Sequence, residues 1–124
     1  MDPDPIILVA DDDADILNLV VKRLSKRGWT VLAASDGAEA LDRVRAELPD
    51  AVVVDWMMPK LTGPEVCNAL KRDPATASIP VVLVTARASG GDRTTGLEHG
   101  ADEYVTKPFD VDDLDAVLRR LLAI

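Results

Sequence analysis

Short apolar runs alternate along the chain with segments in which apolar residues recur every three or four positions. The short runs predict five β-strands, because they are brief and rich in β-branched residues. These strands are predicted at Ile6 to Ala10, Thr30 to Ala34, Ala51 to Val54, Val81 to Thr85 and Glu103 to Thr106. The alternation of strands with helices predicts an α/β fold, in which helices cover both faces of a parallel sheet.

The segments between the strands predict amphipathic helices, because their apolar residues follow helical spacing. The helices are predicted from the Asp13 cap to near Gly28, from the Asp36 cap to Pro49, from Pro64 to Asp73, from Asp92 to His99 and from Val111 to Leu122. The second helix is expected to carry Leu41, Val44 and Leu48 on its apolar face. The fourth is a poor helix former, because residues 89–96 include three glycines, two threonines and a serine, and its local stability should be low.

Length and composition predict one compact domain. The chain has 124 residues, of which 48% are apolar, enough for one continuous core. We expect residues 1–5 to form a flexible N-terminal tail and residues 6–124 to form the domain, without room for an output domain; Met1 favours a natural start. The single cysteine, Cys67, cannot form an internal disulfide, which suits a reducing cytosol, so we expect a cytoplasmic protein.

Charge and hydropathy argue against two classes of partner. The chain carries 22 acidic and 14 basic residues, a formal net charge of −8, so we expect it to repel nucleic acid. No apolar run approaches the length that spans a membrane, and the first residues, MDPDP, do not resemble a signal peptide. We therefore expect no direct contact with nucleic acid or with a membrane.

Polar side chains stand at the ends of four of the five predicted strands. Asp11, Asp12 and Asp13 follow the first strand, Asp55 follows the third, Thr85 ends the fourth and Lys107 follows the fifth. Each has an ordinary structural explanation when taken alone: a helix cap for the aspartates, a solvated surface position for the lysine. Ligands of open α/β sheets bind at the carboxyl ends of the strands, however, and the coincidence of these residues there predicts a functional site.

The predicted cluster of carboxylates favours a bound cation. At an effective dielectric of 20, two charges about 4 Å apart repel each other by roughly 4 kcal/mol, so Asp11, Asp12 and Asp55 must keep protons or bind a cation. Oxygen ligands favour a hard ion, and a site with few carboxylates and room for water and phosphate suits Mg²⁺ better than Ca²⁺. Mn²⁺ should substitute. Lys107 and the Thr85 hydroxyl are natural partners for phosphoryl oxygens.

Four segments carry a resemblance to a known family: LVADDDADI, VVVDWMMPKLTGPEV, VVLVTARA and GADEYVTKPF. In this order and spacing they resemble the receiver domain of bacterial two-component response regulators, and the resemblance covers all but the first five residues. It implies a single doubly wound (βα)5 flavodoxin-like domain, with a five-stranded parallel sheet of order 2-1-3-4-5. It also implies a cis peptide bond before Pro108.

The same resemblance assigns roles to the candidate residues. Asp55 would be the phosphoacceptor. It would receive the phosphoryl group from a sensor histidine kinase or a phosphotransfer protein. Asp12, Asp55 and the backbone carbonyl of Met57 would bind Mg²⁺ directly, and Asp11 would act through metal-bound water. Lys107 and Thr85 would contact the phosphoryl group. The domain would then be a signalling switch that catalyses its own phosphorylation and dephosphorylation, and not an enzyme in its own right.

The resemblance also implies how the switch would work. The Thr85 hydroxyl would move to the phosphoryl group, Tyr104 would turn inward, and the surface of the fourth helix, fifth strand and last helix would change to control an output partner. DWMMP and DRTTGLEHGADEYVTKPF most resemble receivers of winged-helix transcription factors, which form homodimers on phosphorylation. Val117 departs from that pattern, because those receivers usually carry an arginine there that forms salt bridges across the dimer. Arg119 and Arg120 could partly substitute.

Two other functions are weighed against this one. A phosphatase of the haloacid dehalogenase type also uses an aspartyl phosphate and Mg²⁺, but its motif, Asp-x-Asp, follows the first strand. Here the acceptor follows the third strand, and position 57 is a methionine, which is no general acid. A degenerate receiver that only binds proteins would lack the acidic pair, Asp55 or Lys107, and all of these are present.

Overall fold

The computed structural model describes residues 4–85 and 100–124, which form five strands and four helices. The elements are β1 (Ile6–Ala10), α1 (Ala14–Ser25), β2 (Thr30–Ala34), α2 (Gly37–Glu47), β3 (Ala51–Asp55), α3 (Gly63–Arg72), β4 (Val81–Thr85), β5 (Glu103–Thr106) and α4 (Val111–Leu122). The helix predicted over Asp92 to His99 lies outside the described residues. The other predicted elements are present, with bounds within a few residues of those predicted.

The strands form one parallel sheet of order β2-β1-β3-β4-β5, which confirms the predicted α/β topology. Every residue of β3 and β4 is buried, as expected for strands that helices cover on both faces. The register pairs Ala10 with Val54, and Asp55 with Val84. The carboxyl ends of adjacent strands therefore stand side by side at one edge of the sheet.

Two apolar clusters, one on each face of the sheet, form the core. One contains Leu8, Val52, Val54 and Leu83 of the sheet and packs against α2 and α3. The other contains the sheet residues whose side chains point to the opposite face, and it packs against α1 and α4. Because side chains alternate across a strand, neighbouring residues of each central strand enter opposite clusters. None of the described helices has the length and apolar character needed to cross a membrane.

Side-chain caps explain where the helices begin. Asp13 accepts hydrogen bonds from the backbone N–H groups of Asp15 and Ile16, and Asp36 accepts one from Glu39, which confirms both predicted caps. Thr62 and Glu65 form a capping box at the start of α3. These caps satisfy backbone N–H groups in the first turns of α1, α2 and α3.

The prediction that Leu48 packs on the apolar face of α2 is wrong. The helix ends at Glu47, and Leu48 is its C-cap residue, in the left-handed region at φ 47° and 53% exposed. The following residue, Pro49, explains why the helix stops here, because a proline disfavours right-handed helical backbone in the residue before it. The apolar face of α2 instead consists of Ala40, Leu41 and Val44.

Candidate functional site

The carboxyl edge of the sheet brings together the residues predicted to form the site. Asp11 directly follows β1, Asp55 ends β3, Thr85 ends β4 and Lys107 directly follows β5. Asp11, Asp55 and Thr85 are each at most 8% exposed, whereas Asp12 is exposed. The parallel register places these four strand ends in adjacent positions, so one edge carries buried carboxylates, a hydroxyl and a cation.

Three carboxylates and one ammonium group form the centre of this site. One carboxylate oxygen from each of Asp11, Asp12 and Asp55 lies within 4.8 Å of the others, close enough to hold one metal ion. The Lys107 Nζ lies 3.0 Å from Asp11 Oδ2 and 3.2 Å from Asp55 Oδ2. The other oxygen of Asp11 accepts a hydrogen bond from the Asp13 N–H at 2.9 Å. Lys107 thus bridges the two buried carboxylates.

Burial and charge shift the pKa values of the two central groups. Burial of Asp55 raises the pKa of its carboxyl group, and the nearby charge of Asp11 raises it further; Lys107 offsets only part of this. Burial alone would lower the pKa of Lys107, but its hydrogen bond to Asp11 and the charge of Asp55 outweigh burial and raise it. The site therefore favours a cation and disfavours the ionised form of Asp55.

Asp55→Asn is expected to stabilise the metal-free protein at neutral pH. The folded-state pKa of Asp55 is raised, so the ionised carboxylate costs folding free energy at pH values above that pKa, and the neutral amide removes the cost. The free energy of unfolding should rise by roughly 1 kcal/mol, which corresponds to a Tm about 4 °C higher than that of the wild type. Thermal unfolding in a chelating buffer at pH 7 measures this difference.

Asp12→Asn is the matched control, because it makes the same chemical change on an exposed carboxylate of the same cluster. It should leave the Tm of the metal-free protein within about 1 °C of the wild type, since exposed charges contribute little. A lower Tm for Asp55→Asn than for the wild type would contradict the assignment of Asp55 as a destabilising buried charge.

The loop of residues 56–62, here called the β3–α3 loop, connects Asp55 to α3. The Trp56 N–H donates to the Val84 carbonyl at 2.7 Å, and the Trp56 carbonyl accepts from the Gly63 N–H at 2.9 Å. A Cβ atom at Gly63 would overlap the Asp55 carbonyl, so only glycine fits there. The Met57 side chain is 70% exposed. The loop is therefore anchored at the end of β3 through both Trp56 and Gly63.

On the other side of the site, a backbone hydrogen bond joins the ends of β4 and β5. The Lys107 N–H donates to the Thr85 carbonyl at 2.6 Å, and the Lys107–Pro108 peptide bond is cis, as predicted. Thr85 is paired with Thr106 across β4 and β5, and Leu83 is paired with Tyr104. Tyr104 and Thr85 therefore lie on the same face of the sheet. Ala86 and Arg87, which follow Thr85, lie outside the described residues.

Sequence reasoning placed Lys107 at the site but missed its contact with Asp11. The pair Lys107–Asp11 joins residues 96 positions apart, and no local pattern signals it. An excess of buried acidic groups at one edge was the available clue, because such groups need a counter-charge. Cys67 is buried in α3, where burial raises the pKa of its thiol to about 11; the thiol is therefore protonated at neutral pH.

A five-stranded parallel sheet of this order, with acidic groups and a lysine at its carboxyl edge, defines a receiver-type domain. The sequence of residues 7–119 matches the family of response regulator receiver domains. The chain belongs to this family, which confirms the resemblance of the four sequence segments.

Known proteins resemble the chain along nearly its whole length. A probable transcriptional regulator of Guillardia theta, ycf27, is 45% identical over 116 residues, which are 94% of this chain and 44% of the relative. The receiver domain of the Francisella response regulator 1452 is 34% identical, with a TM-score of 0.91 over 96% of this chain and 97% of that one. The receiver domain of the sensor histidine kinase PA1611 from Pseudomonas aeruginosa, solved with a magnesium ion in its active site cleft, is 26% identical, with a TM-score of 0.90 over 98% and 99%. The chain spans about half the length of the curated relatives it matches.

Proposed function

We propose that this domain is a phosphorylation-activated switch that accepts a phosphoryl group on Asp55 from a histidine kinase or a phosphotransfer protein. The observation that carries the proposal is the bridged cluster at the sheet edge: three carboxylates within 4.8 Å and Lys107 within 3.2 Å of two of them. Asp55 is central because it ends a fully buried strand and contacts the lysine. Membership of the receiver family supports the same reaction.

The acidic cluster fits a divalent metal ion. Asp12, Asp55 and the Met57 carbonyl would hold Mg²⁺ directly, and Asp11 would hold it through water; Mn²⁺ should substitute. All of these donors are oxygens, as Mg²⁺ prefers, and their carboxylates lie close enough to share one ion. When bound, the ion would neutralise charge on the carboxylates and the transferred phosphoryl group. The PA1611 receiver, with magnesium in its cleft, supports this choice.

The residues of the chain supply the nucleophile and the charge stabilisation. A carboxylate oxygen of Asp55 attacks the phosphorus, a new P–O bond forms, and the P–N bond to the donor histidine breaks, with the electron pair leaving on the imidazole. The Lys107 Nζ lies 3.2 Å from one carboxylate oxygen of Asp55 and would offset the negative charge of the phosphoryl group. The Thr85 hydroxyl, at the adjacent strand end, donates to a phosphoryl oxygen. These groups position the phosphoryl group and neutralise its negative charge; none of them transfers a proton to it.

The switch would run from Thr85 to the far surface of β5. Thr85 and Tyr104 lie on the same sheet face on neighbouring strands, so a movement of the Thr85 hydroxyl towards the phosphoryl group opens space that Tyr104 can fill. The surface that changes would include β5, α4 and the residues predicted as the fourth helix, and it would control an output partner in the cytoplasm. The transcriptional regulators among the relatives support an output of this kind.

A homodimer formed on phosphorylation finds less support. Val117 is half-buried and packs against the core cluster of α1 and α4. Arg119 is hydrogen-bonded to Asp115 within its own helix, and Arg120 forms an ion pair with Glu103 of β5. Both candidate arginines are engaged within the chain, so a dimer of this subfamily's kind would have to exchange these pairs for contacts between chains.

The phosphodonor would reach Asp55 beside an apolar groove. This groove, with a volume of about 420 Å³, lies between α1 and the chain that follows β5. Its lining includes Lys107, Pro108 and Phe109 on one side and Ile16, Leu19 and Val20 on the other. Because Lys107 belongs to both the groove and the acidic cluster, a histidine-bearing partner seated there would stand next to the acceptor.

Intact-mass spectrometry tests the proposal. The wild type and Asp55→Asn are incubated with acetyl phosphate and Mg²⁺, and the wild type is also incubated in a chelating buffer. We expect one phosphoryl adduct on the wild type with Mg²⁺ and none on Asp55→Asn or without metal. An unmodified, folded wild type would refute the proposal and leave a module that only binds proteins.

A further inference from the structure

The start of α2 lies against the β3–α3 loop, although β2, which precedes it, contributes no group to the site. The Gly37 N–H donates to the Pro59 carbonyl at 3.2 Å. Gly37 is buried, and a Cβ atom there would overlap the Leu61 carbonyl and the Leu61 side chain. The φ of Gly37 lies outside the left-handed region, so the requirement for glycine is one of space and not of conformation.

A second contact joins the same two segments. The Asp36 side chain caps α2 through one oxygen, which accepts from the Glu39 N–H at 2.8 Å, and its other oxygen lies 3.5 Å from the Lys60 Nζ. Lys60 has a φ of 71°, a conformation that residues with a Cβ seldom adopt. Such a conformation persists where its surroundings hold it. Asp36 thus contacts the loop through the Lys60 side chain, and Gly37 contacts it through the backbone.

The contact matters because of what the loop carries. Residues 59–61 rest on Gly37, and two residues earlier in the same loop is Met57, whose carbonyl is a metal ligand in the proposed function. On the other side of Met57, the Trp56 N–H donates to the Val84 carbonyl. Because contacts hold the chain on both sides of Met57, its carbonyl has a defined position at the end of β3.

We propose that Gly37 is a positioning residue for metal binding, which sets the place of the β3–α3 loop and thereby of the Met57 carbonyl. Asp36 and Lys60 assist it. This inference rests on the proposed function, since it concerns the metal site of that function. It assigns a role at the site to the helix after β2, the strand without a ligand.

Magnesium titration of Gly37→Ala, followed by the fluorescence of Trp56, tests the inference. The added methyl group should push the loop outward and raise the dissociation constant for Mg²⁺ about 10-fold, as expected when a group that supports a metal ligand is disturbed. At saturating Mg²⁺ the rate of phosphorylation should recover. In the metal-free variant, acrylamide should quench the fluorescence of Trp56 more strongly than in the metal-free wild type. Trp29 is buried and hydrogen-bonded to Asp115, so its contribution to the quenching should be the same in both proteins.

Two further variants make the test decisive. Gly28→Ala is the control: Gly28 has a φ of 96°, and no atom lies within 4 Å of the position that an added methyl group would take. The change therefore strains the backbone away from the site and should leave Mg²⁺ binding unchanged. Lys60→Met removes the charge that pairs with Asp36 and keeps the Cβ atom, so it should raise the dissociation constant about 2-fold. If Gly37→Ala does not fold, Lys60→Met decides.

The outcomes separate this inference from the proposed function. A wild type that does not bind Mg²⁺ would refute the proposed function itself. A wild type that binds Mg²⁺, with the same dissociation constant for Gly37→Ala and Lys60→Met, would refute only the positioning role. Equal weakening by Gly28→Ala would also refute it, because the effect would then be a general loosening of the fold.

Discussion

Replacing Lys107 by methionine is expected to slow the phosphorylation of Asp55 by acetyl phosphate about 100-fold, the typical cost of losing one preorganised group that stabilises developing charge. Methionine keeps most of the length and apolar volume of the lysine side chain and removes its charge. The Lys107 Nζ lies 3.2 Å from Asp55 Oδ2, so the charge is lost directly beside the proposed phosphoacceptor. The time course of adduct formation at saturating Mg²⁺ measures the effect.

Lys22→Met is the control for this experiment. Lys22 is an exposed lysine of α1, away from the acidic cluster, and its replacement makes the same change in net charge. Its rate should stay within about 2-fold of the wild type, because exposed charges are screened by salt. A Lys107→Met variant that reacts as fast as Lys22→Met would show that Lys107 balances charge in the metal-free fold and takes no part in the transfer.

Leu114→Ala should lower the free energy of unfolding by about 3 kcal/mol, through lost burial and the cavity left behind. Leu114 is fully buried in the cluster that joins α1 and α4 to the sheet. Urea unfolding followed by circular dichroism measures the change. For a domain of this size, a loss of that order takes a large part of the total stability.

Leu19→Ala makes the same truncation on an exposed residue of α1, 47% accessible to solvent. It should change the free energy of unfolding by less than about 0.5 kcal/mol. Similar losses for the two variants would mean that α4 does not pack on the sheet as described. A loss at Leu114 alone would support the assignment of the core.

The sheet could be predicted closely because its signal is local. The runs that form β1, β2, β4 and β5 have the same bounds in the sequence prediction and in the structure, and β3 is one residue longer than predicted. A strand covered on both faces must be apolar throughout, and β3 and β4 meet this requirement without interruption until Asp55 and Thr85. The first polar residue after each buried run then indicated the site.

What the sequence did not predict depends on contacts between distant residues. The bridge from Lys107 to Asp11 and the packing of Gly37 on Leu61 join segments that no spacing rule relates. The same holds for Trp29, whose indole N–H donates to Asp115 at 2.7 Å while Arg119 stacks on its ring. Leu48 illustrates a local failure, because helical spacing placed it in the core, whereas the helix ends at Glu47 and Leu48 is an exposed C-cap residue.

The central claim is that the phosphoryl group is carried by Asp55, and borohydride trapping tests it at the level of the residue. Borohydride reduces an aspartyl phosphate to homoserine, so the phosphorylated protein is reduced, digested and sequenced by tandem mass spectrometry. We predict homoserine at position 55 and unmodified aspartate at positions 11 and 12. Homoserine at position 11 or 12, or none in a protein that carries a phosphoryl adduct, would contradict the claim.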